Sequence, residues 1–195
     1  MKNIKIGTLN TQNSKINRTG GVNGRLDNSK ILASHIEQEG YYLLGTQELT
    51  RVFSKKMLNN LKKYKLFGGY RYGSSKIVKK IKFLEDFNEN NSIITNQPVV
   101  REKTKMLPWV PNNPKDLLTS IIKGSIMPRI ATIITIDDPK IGKIYAINTH
   151  LDYQLSSVQM RQLKNLLKMI RDISFEYKII ITGDLVWKQK NKIIL

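Results

Sequence analysis

The sequence predicts an α+β protein in which β-sheets pack against each other and helices lie outside them. Strand-like segments alternate with helical segments near both ends of the chain, whereas its middle carries consecutive strands. There is no internal repeat and no low-complexity linker, and 195 residues suit one domain with a sizeable core. This mixture is typical of stacked sheets flanked by helices. We therefore expect a single domain over 1–195.

Short apolar or alternating segments predict seven strands. They cover 4–9, 41–46, 65–69, 91–95, 129–136, 143–148 and 177–182. The basic stretch 76–82 fits either a strand or a loop. Segment 103–123 contains Pro108, Pro111 and Pro114, so we expect it to run irregularly over the surface.

Helical periodicity and end signals predict a helix over 27–39. Asp27 or Asn28 can cap its start, and Gly40 ends it. Its apolar face carries Ile31, Leu32, His35 and Ile36. We assign His35 to packing or to the surface, because a lone histidine on such a face is more often structural than a ligand.

Two further helices are predicted by the same signals. One begins after its cap Thr50 and runs to about residue 63. Its inward residues are Val52, Phe53, Met57, Leu58 and Leu61. The other begins at Ser156 or Ser157 and runs to about residue 173. Its core side carries Val158, Leu163, Leu166, Leu167 and Ile170.

The composition restricts the chemistry. There is no cysteine, which excludes disulfides, thiolate metal sites and cysteine nucleophiles. The formal charge of +18 favours polyanionic partners, although the excess of Lys, Asn and Ile is also expected of an AT-rich coding sequence. We see no signal peptide and no membrane-spanning run, so the expected location is the cytoplasm.

Four predicted strands run directly into polar groups that bind metals or move protons. The groups are Asn10, Gln47-Glu48, the run from Asn148 through His150 to Asp152, and Gly183-Asp184. Strand ends that share one edge would gather an amide, carboxylates and an imidazole on a rigid frame. Each group also has an ordinary interpretation: Asn10 suits a turn, Glu48 can flank the next helix, and Gly-Asp is a common turn dipeptide.

The order and spacing of these segments resemble the successive motifs of the endonuclease/exonuclease/phosphatase superfamily. The matching pieces are Ile-Gly-Thr-Leu-Asn10, Leu-Leu-Gly-Thr-Gln-Glu48, Glu89-Asn-Asn91-Ser-Ile-Ile, Arg129-Ile-Ala-Thr, Asn148-Thr-His-Leu-Asp152 and Ile-Ile-Thr-Gly-Asp184. Gly69-Tyr70-Arg71 adds a likeness to the bacterial metal-dependent hydrolases. The resemblance implies a two-sheet β-sandwich flanked by helices, the deoxyribonuclease-I-like four-layer fold, with its active site at the sandwich edge.

The resemblance also implies roles for individual residues. Glu48 would be the principal Mg²⁺ ligand, with Mn²⁺ as a substitute ion, and Asn10 would help to hold it. His150 would donate to the phosphate, with Glu89 orienting and charging it. Asp184 would orient or activate the attacking water. Three further side chains would contact the phosphate ester: Arg71, Asn91 and Asn148. Glu89 also fits a solvated loop acid, and Arg71 a surface cation.

The sequence departs from the family pattern in two ways. Val186 stands where the family has an asparagine that donates to a phosphoryl oxygen, and losing one such donor costs roughly 10²–10³ in rate. In addition, no Asp-His pair follows Asp184 before Leu195, so we expect the last strands of the fold to be missing. Weak Mg²⁺ binding and little turnover are the expected consequences.

Two functions from different classes remain open. The first is a Mg²⁺-dependent phosphoesterase that acts on nucleic acid, a sugar or inositol phosphate, or a phospholipid. The basic composition favours nucleic acid. The second is a catalytically inactive basic module that binds nucleic acid or anionic surfaces through lysine-rich segments such as 76–82.

Overall fold

The computed structural model describes residues 4–11, 22–72, 88–106, 129–152, 155–173 and 175–185. The side chains of residues 22–27 and of Met106 are not described. Four sequence expectations therefore lie outside the described residues. They concern the basic stretch 76–82, the prolines of the 103–123 excursion, Val186 and the segment that follows it.

The described elements are eight strands and three helices. The strands are β1 (Ile6–Asn10), β2 (Leu43–Leu49), β3 (Lys65–Phe67), β4 (Asn90–Thr95), β5 (Val99–Met106), β6 (Ile130–Asp138), β7 (Gly142–His150) and β8 (Lys178–Asp184). The helices are α1 (Val22–Glu39), α2 (Arg51–Leu58) and α3 (Ser156–Arg171). In the described part of the chain, no helix combines the length and apolar character that crossing a membrane requires.

The strands form two four-stranded mixed sheets. One has the order β1-β2-β4-β3 and the other the order β5-β6-β7-β8. Each sheet has one parallel pair, β1 with β2 and β7 with β8, and its other pairs are antiparallel. The two parallel pairs face each other, since β1 and β2 both contact β8 across the sandwich.

Three hydrophobic clusters show that the molecule has four layers. Between the sheets lie Leu43, Ile93, Ile134, Ile136, Ile144 and Ala146. Helices α1 and α2 cover the first sheet through a cluster that includes Ile36, Phe53 and Met57. Helix α3 covers the second sheet, with Leu166 packed near Ile133 and Ile147. Burying each large apolar side chain stabilises the fold by roughly 1.5–3 kcal/mol. The predicted two-sheet sandwich flanked by helices is confirmed.

The predictions for the first helix were partly wrong. Helix α1 begins at Val22, so neither Asp27 nor Asn28 caps it. It ends as predicted at Gly40, which has a φ of +65° and donates its backbone N–H to the Ile36 carbonyl. Ile31 is 65% exposed and does not belong to the core face. His35 lies on the surface.

Helix α2 has the predicted cap but is shorter than predicted. The Thr50 hydroxyl accepts from the backbone N–H of Phe53, and the helix ends at Leu58. Val52 and Leu58 are exposed, because a helix this short presents only one narrow face to the sheet.

Helix α3 begins without a side-chain cap. Its N-cap is Leu155, so the prediction of a serine cap was wrong. Leu167 is exposed, whereas Gln159 and Gln162 are buried. The reason is local: the Gln162 side-chain carbonyl accepts from the Asp152 backbone N–H at 2.8 Å and ties the helix to the end of β7.

Strand β5 was missed by the sequence reasoning. Its sequence Val-Val-Arg-Glu-Lys-Thr-Lys-Met carries too much charge for an apolar or alternating pattern. Among the described strands, β5 pairs with β6 alone and is the outermost strand of its sheet, a position where charged side chains meet water and discourage pairing with other chains.

Asp138 links the two sheets and gives a pH-dependent prediction. Its carboxylate accepts from the backbone N–H groups of Lys140 and Ile141 and from the Tyr42 hydroxyl at 3.0 Å. These hydrogen bonds, first the one from Lys140, hold the pKa of Asp138 below its ordinary value. Its contribution to stability is therefore present above pH 3.8 and is lost as the pH falls through the lowered pKa.

We expect Asp138→Asn to reduce the free energy of unfolding at pH 7 and to show a smaller deficit at pH 3. Urea titrations at both pH values measure the change, with Asp137→Asn as the matched control on the exposed neighbouring residue. An equal deficit at both pH values would contradict the assignment.

Candidate metal and phosphate site

Side chains from the ends of four strands converge at one edge of the sandwich. The Asn10 amide Nδ2 donates to Glu48 Oε1 at 3.1 Å and to Asp184 Oδ2 at 2.8 Å. The His150 ring lies between the same carboxylates, with Nδ1 at 3.7 Å from Glu48 Oε1 and Nε2 at 3.9 Å from Asp184 Oδ2. The structure thus brings together four of the eight predicted site residues in direct contact.

The pairing of the strands explains this convergence. In parallel pairs the carboxyl ends of both strands reach the same edge of the sheet. Asn10 lies opposite Gln47 in the β1–β2 pair, and His150 lies opposite Asp184 in the β7–β8 pair. Since the two pairs face each other across the sandwich, all four ends meet.

Glu48 occupies a β-bulge in β2. Thr46 pairs with Ser92, and the next pairing is between Leu49 and Asn90, so β2 has one extra residue. Glu48 has a φ of +60°, the one positive φ among the described non-glycine residues. An unstrained strand would turn Gln47 and Glu48 to opposite faces, but here both reach residues of the other sheet. Strain of this kind is concentrated at functional sites.

His150 is buried, and its burial favours the neutral ring. Burial lowers the pKa of His150 to about 3, with a further contribution from the nearby Arg129, and outweighs the opposing effect of Asp184. Its Nδ1 makes no hydrogen bond within the described residues, and the distances to the two carboxylates exceed hydrogen-bond length. We had expected Glu89 to orient and charge this ring. The structure places Glu48 and Asp184 beside it, and the role of Glu89 stays a prediction.

Glu89 belongs to a buried cluster of charges next to the site. Its carboxylate accepts from Arg71 Nη2 at 2.9 Å, and its backbone carbonyl accepts from the Arg71 N–H at 2.9 Å. Burial raises the pKa of Glu89, and burial likewise lowers the pKa of Arg129 to about 10. Arg71 is 5% exposed and donates to Glu89, so it is not a surface cation, and its contact with a phosphate stays a prediction.

The other two predicted phosphate contacts are enclosed between the sheets. Asn91 is 2% exposed and donates from Nδ2 to the Ile130 carbonyl at 2.9 Å. Asn148 is fully buried, and its amide donates to the carbonyls of Thr46 and Ser92, both at 2.8 Å. Their side chains hold the frame of the site.

Sequence reasoning missed Arg129, Gln47 and Thr182. Arg129 was noted only as the first letter of a motif, and a single arginine before a strand carries no signal until packing buries it. Gln47 and Thr182 each adjoin a predicted site residue by one or two positions. The rule that residues i and i+2 of a strand share a face could have found Thr182 from Asp184.

The residues present fit a hard divalent cation. Two carboxylates, Glu48 and Asp184, are brought to one amide, and both are partly exposed. A cation would offset the repulsion between these like charges. Among the described residues, no three Asp, Glu or His side chains form a closed metal cage. This is compatible with Mg²⁺, which often takes one or two protein carboxylates and keeps several waters.

The fold and site define an α+β sandwich with acidic, amide and imidazole groups at one edge. No protein-family model matches the sequence, and no curated protein matches it. Solved structures do match. A mannosyl-6-phosphatase from Bacteroides thetaiotaomicron is 17% identical with a TM-score of 0.74, and the match covers 97% of this chain and 68% of that one.

Two further neighbours extend the comparison. An endonuclease/exonuclease/phosphatase family protein from B. thetaiotaomicron is 17% identical, with a TM-score of 0.73 and coverage of 97% and 66%. TDP2 from D. rerio, solved with a single-strand DNA product, is 17% identical with a TM-score of 0.66 and coverage of 93% and 60%. The chain therefore has the deoxyribonuclease-I-like fold of these proteins and spans about two thirds of their lengths.

The positive φ at position 48 gives a second prediction. Both Glu48→Gly and Glu48→Ala remove the side chain, but alanine retains the steric cost of the left-handed backbone. We expect the glycine variant to be more stable than the alanine variant by about 1 kcal/mol, against the usual order inside strands. Urea unfolding of the two variants measures this difference. The strained bulge would be refuted by an alanine variant as stable as the glycine one.

Proposed function

We propose that this chain carries the metal-binding and acid-base part of a Mg²⁺-dependent phosphoesterase. The observation that carries the proposal is the contact of Asn10 with both Glu48 and Asp184 beside the His150 ring. The fold that this chain shares with a mannosyl-6-phosphatase and with a protein solved with a single-strand DNA product supports phosphate esters as the substrate class.

In this proposal Glu48 and Asn10 hold Mg²⁺, with Mn²⁺ as a substitute, and Asp184 faces the same space. When bound, the ion would neutralise charge on the phosphoryl oxygens. Asn10 orients the Asp184 carboxylate through its 2.8 Å hydrogen bond, and this carboxylate positions the attacking water as a base. The neutral His150 ring donates its N–H to a phosphoryl oxygen. A bound phosphate would also raise the pKa of His150, because a nearby anion favours the charged ring.

In this proposal the remaining predicted residues position the reactive groups without contacting the substrate. Glu89 and Arg71 neutralise each other and enclose the inner side of the site. Asn91 and Asn148 hold the strands that carry the reactive groups. A role in positioning therefore replaces our expectation that Arg71, Asn91 and Asn148 contact the substrate.

The substrate we favour is nucleic acid. The net charge of +18 attracts polyanions over a distance set by the ionic strength. TDP2, which shares the fold, was solved with a single-strand DNA product. Because the fold is also that of a mannosyl-6-phosphatase, a sugar phosphate is the alternative substrate that we propose.

Hydrolysis assays test the proposal. We expect slow hydrolysis of bis(p-nitrophenyl) phosphate and slow nicking of plasmid DNA that both require Mg²⁺ or Mn²⁺. Glu48→Gln and His150→Ala should abolish both, whereas Glu176→Gln, which removes an exposed carboxylate before β8, at the end opposite to Asp184, should not. Val186→Asn restores a hydrogen-bond donor and should raise the rate by up to about 10²-fold.

The charge also supports the alternative of a basic module that binds nucleic acid without cleaving it. Such a module would bind DNA with a log affinity that falls linearly with log salt and is indifferent to Mg²⁺, Glu48→Gln and His150→Ala. That result, together with an inert Val186→Asn variant on every phosphoester tried, would overturn the phosphoesterase proposal.

A further inference from the structure

We propose that Gln47, Asn148 and Thr182, with Thr8 at their outer end, form a polar brace that sets the spacing of the metal-binding groups. This inference rests on the proposed function and names positioning residues for the same site. The four residues come from the four strands that supply the site, one from each strand.

The brace lies one row deeper in the sandwich than the site. Thr8, Asn148 and Thr182 each precede a site residue by two positions, and residues two apart share a face of a strand. Gln47 directly precedes Glu48, and the bulge turns both of them towards the other sheet. Every brace residue is therefore joined by a short, extended backbone to the group it would position.

Asn148 is the hub of the brace. Its Oδ1 accepts from Gln47 Nε2 at 2.7 Å and from the Thr182 hydroxyl at 3.1 Å. Its Nδ2 donates to two backbone carbonyls of the first sheet, at Thr46 and Ser92. An amide side chain has two donor hydrogens and two acceptor lone pairs, so its capacity is filled. Gln47 completes the chain of bonds by donating to the Thr8 hydroxyl at 3.1 Å.

Gly45 allows the sheets to approach at this row. A Cβ at position 45 would lie 2.1 Å from the Thr182 hydroxyl and 2.7 Å from Asn148 Oδ1. No side chain can replace that hydrogen without moving the brace. The brace thus fills a space that the backbone of β2 leaves open for it.

A polar brace can fix the position of one sheet relative to the other, which apolar packing alone does not do. Packed aliphatic side chains hold sheets together without a preferred direction, whereas a saturated buried network permits one arrangement. If the brace shifts, Asn10 and Glu48 on one sheet move relative to His150 and Asp184 on the other. Partners behind metal ligands typically contribute 10–100-fold to metal affinity.

Two threonines give a matched test. Thr132 and Thr182 both lie directly opposite Asn148, on β6 and β8, and both are buried. The Thr182 hydroxyl donates to Asn148 Oδ1 at 3.1 Å, with the Ile147 carbonyl as a second acceptor at 3.3 Å, whereas the Thr132 hydroxyl makes no hydrogen bond within the described residues. Threonine to valine exchanges the hydroxyl for a methyl group of similar shape in both cases.

Isothermal titration with Mn²⁺ alone measures the effect, with circular dichroism showing that each variant is folded at the assay temperature. We expect Thr182→Val to weaken Mn²⁺ binding by about 10–100-fold and Thr132→Val to stay within about twofold of the parent. Thr182→Ser keeps the hydroxyl and should restore the affinity. Gln47→Met, which removes both amide donors, is the second variant and should weaken binding to a similar extent.

Equal Mn²⁺ affinities of the two valine variants would overturn the brace. Failure of the proposed function gives a different result, because then Glu48→Gln would bind Mn²⁺ as the parent does. Weakened binding in Glu48→Gln with no difference between the valine variants retains the metal site and removes the brace alone.

Discussion

The site depends on the meeting of two parallel strand pairs at one edge of the sandwich. Parallel pairing puts the ends of β1 and β2 together, and of β7 and β8 together, and the packing of the sheets brings the two pairs into contact. No loop is needed to gather the four reactive groups. Because strands are stiff, the distances within the site are set by the spacing of the sheets.

The bulge at Glu48 lets two neighbouring residues of β2 face the other sheet. A regular β2 could send either Gln47 or Glu48 towards the other sheet, but not both. One extra residue with a positive φ turns both inward, at a cost of roughly 1–2 kcal/mol for the strained backbone. In return, Gln47 reaches Asn148 at 2.7 Å while Glu48 reaches Asn10 and His150.

Much of the site could be predicted because its signal is local. A strand that ends in Asn10, Glu48, His150 or Asp184 can be identified from the sequence, and parallel pairing then brings such ends together. The surroundings could not be predicted, since burial and register decide them. The resemblance implies that Glu89 charges His150, but burial lowers the pKa of His150, and no sequence pattern shows that burial.

The fold was predictable to the same degree and for the same reason. Apolar strands such as β2 and β7 have a clear pattern, whereas the edge strand β5 carries the charges that an edge needs and so resembles a loop. The first residues of the helices were harder to predict from the sequence than the last ones. Gly40 terminates α1 through its own backbone, but α3 begins at Ser156 after Leu155, a residue whose side chain makes no capping hydrogen bond.

The positive charge of the chain and the charge of its site are separate quantities. The described arginines nearest the site, Arg71 and Arg129, are buried, and Arg71 is neutralised by Glu89. Exposed cations of the described chain lie on several elements, such as Lys55 on α2, Lys103 on β5 and Lys178 on β8. Salt screens exposed charges far more than buried ones. Ionic strength should therefore weaken the capture of a polyanion more than it weakens the buried Arg71–Glu89 pair beside the site.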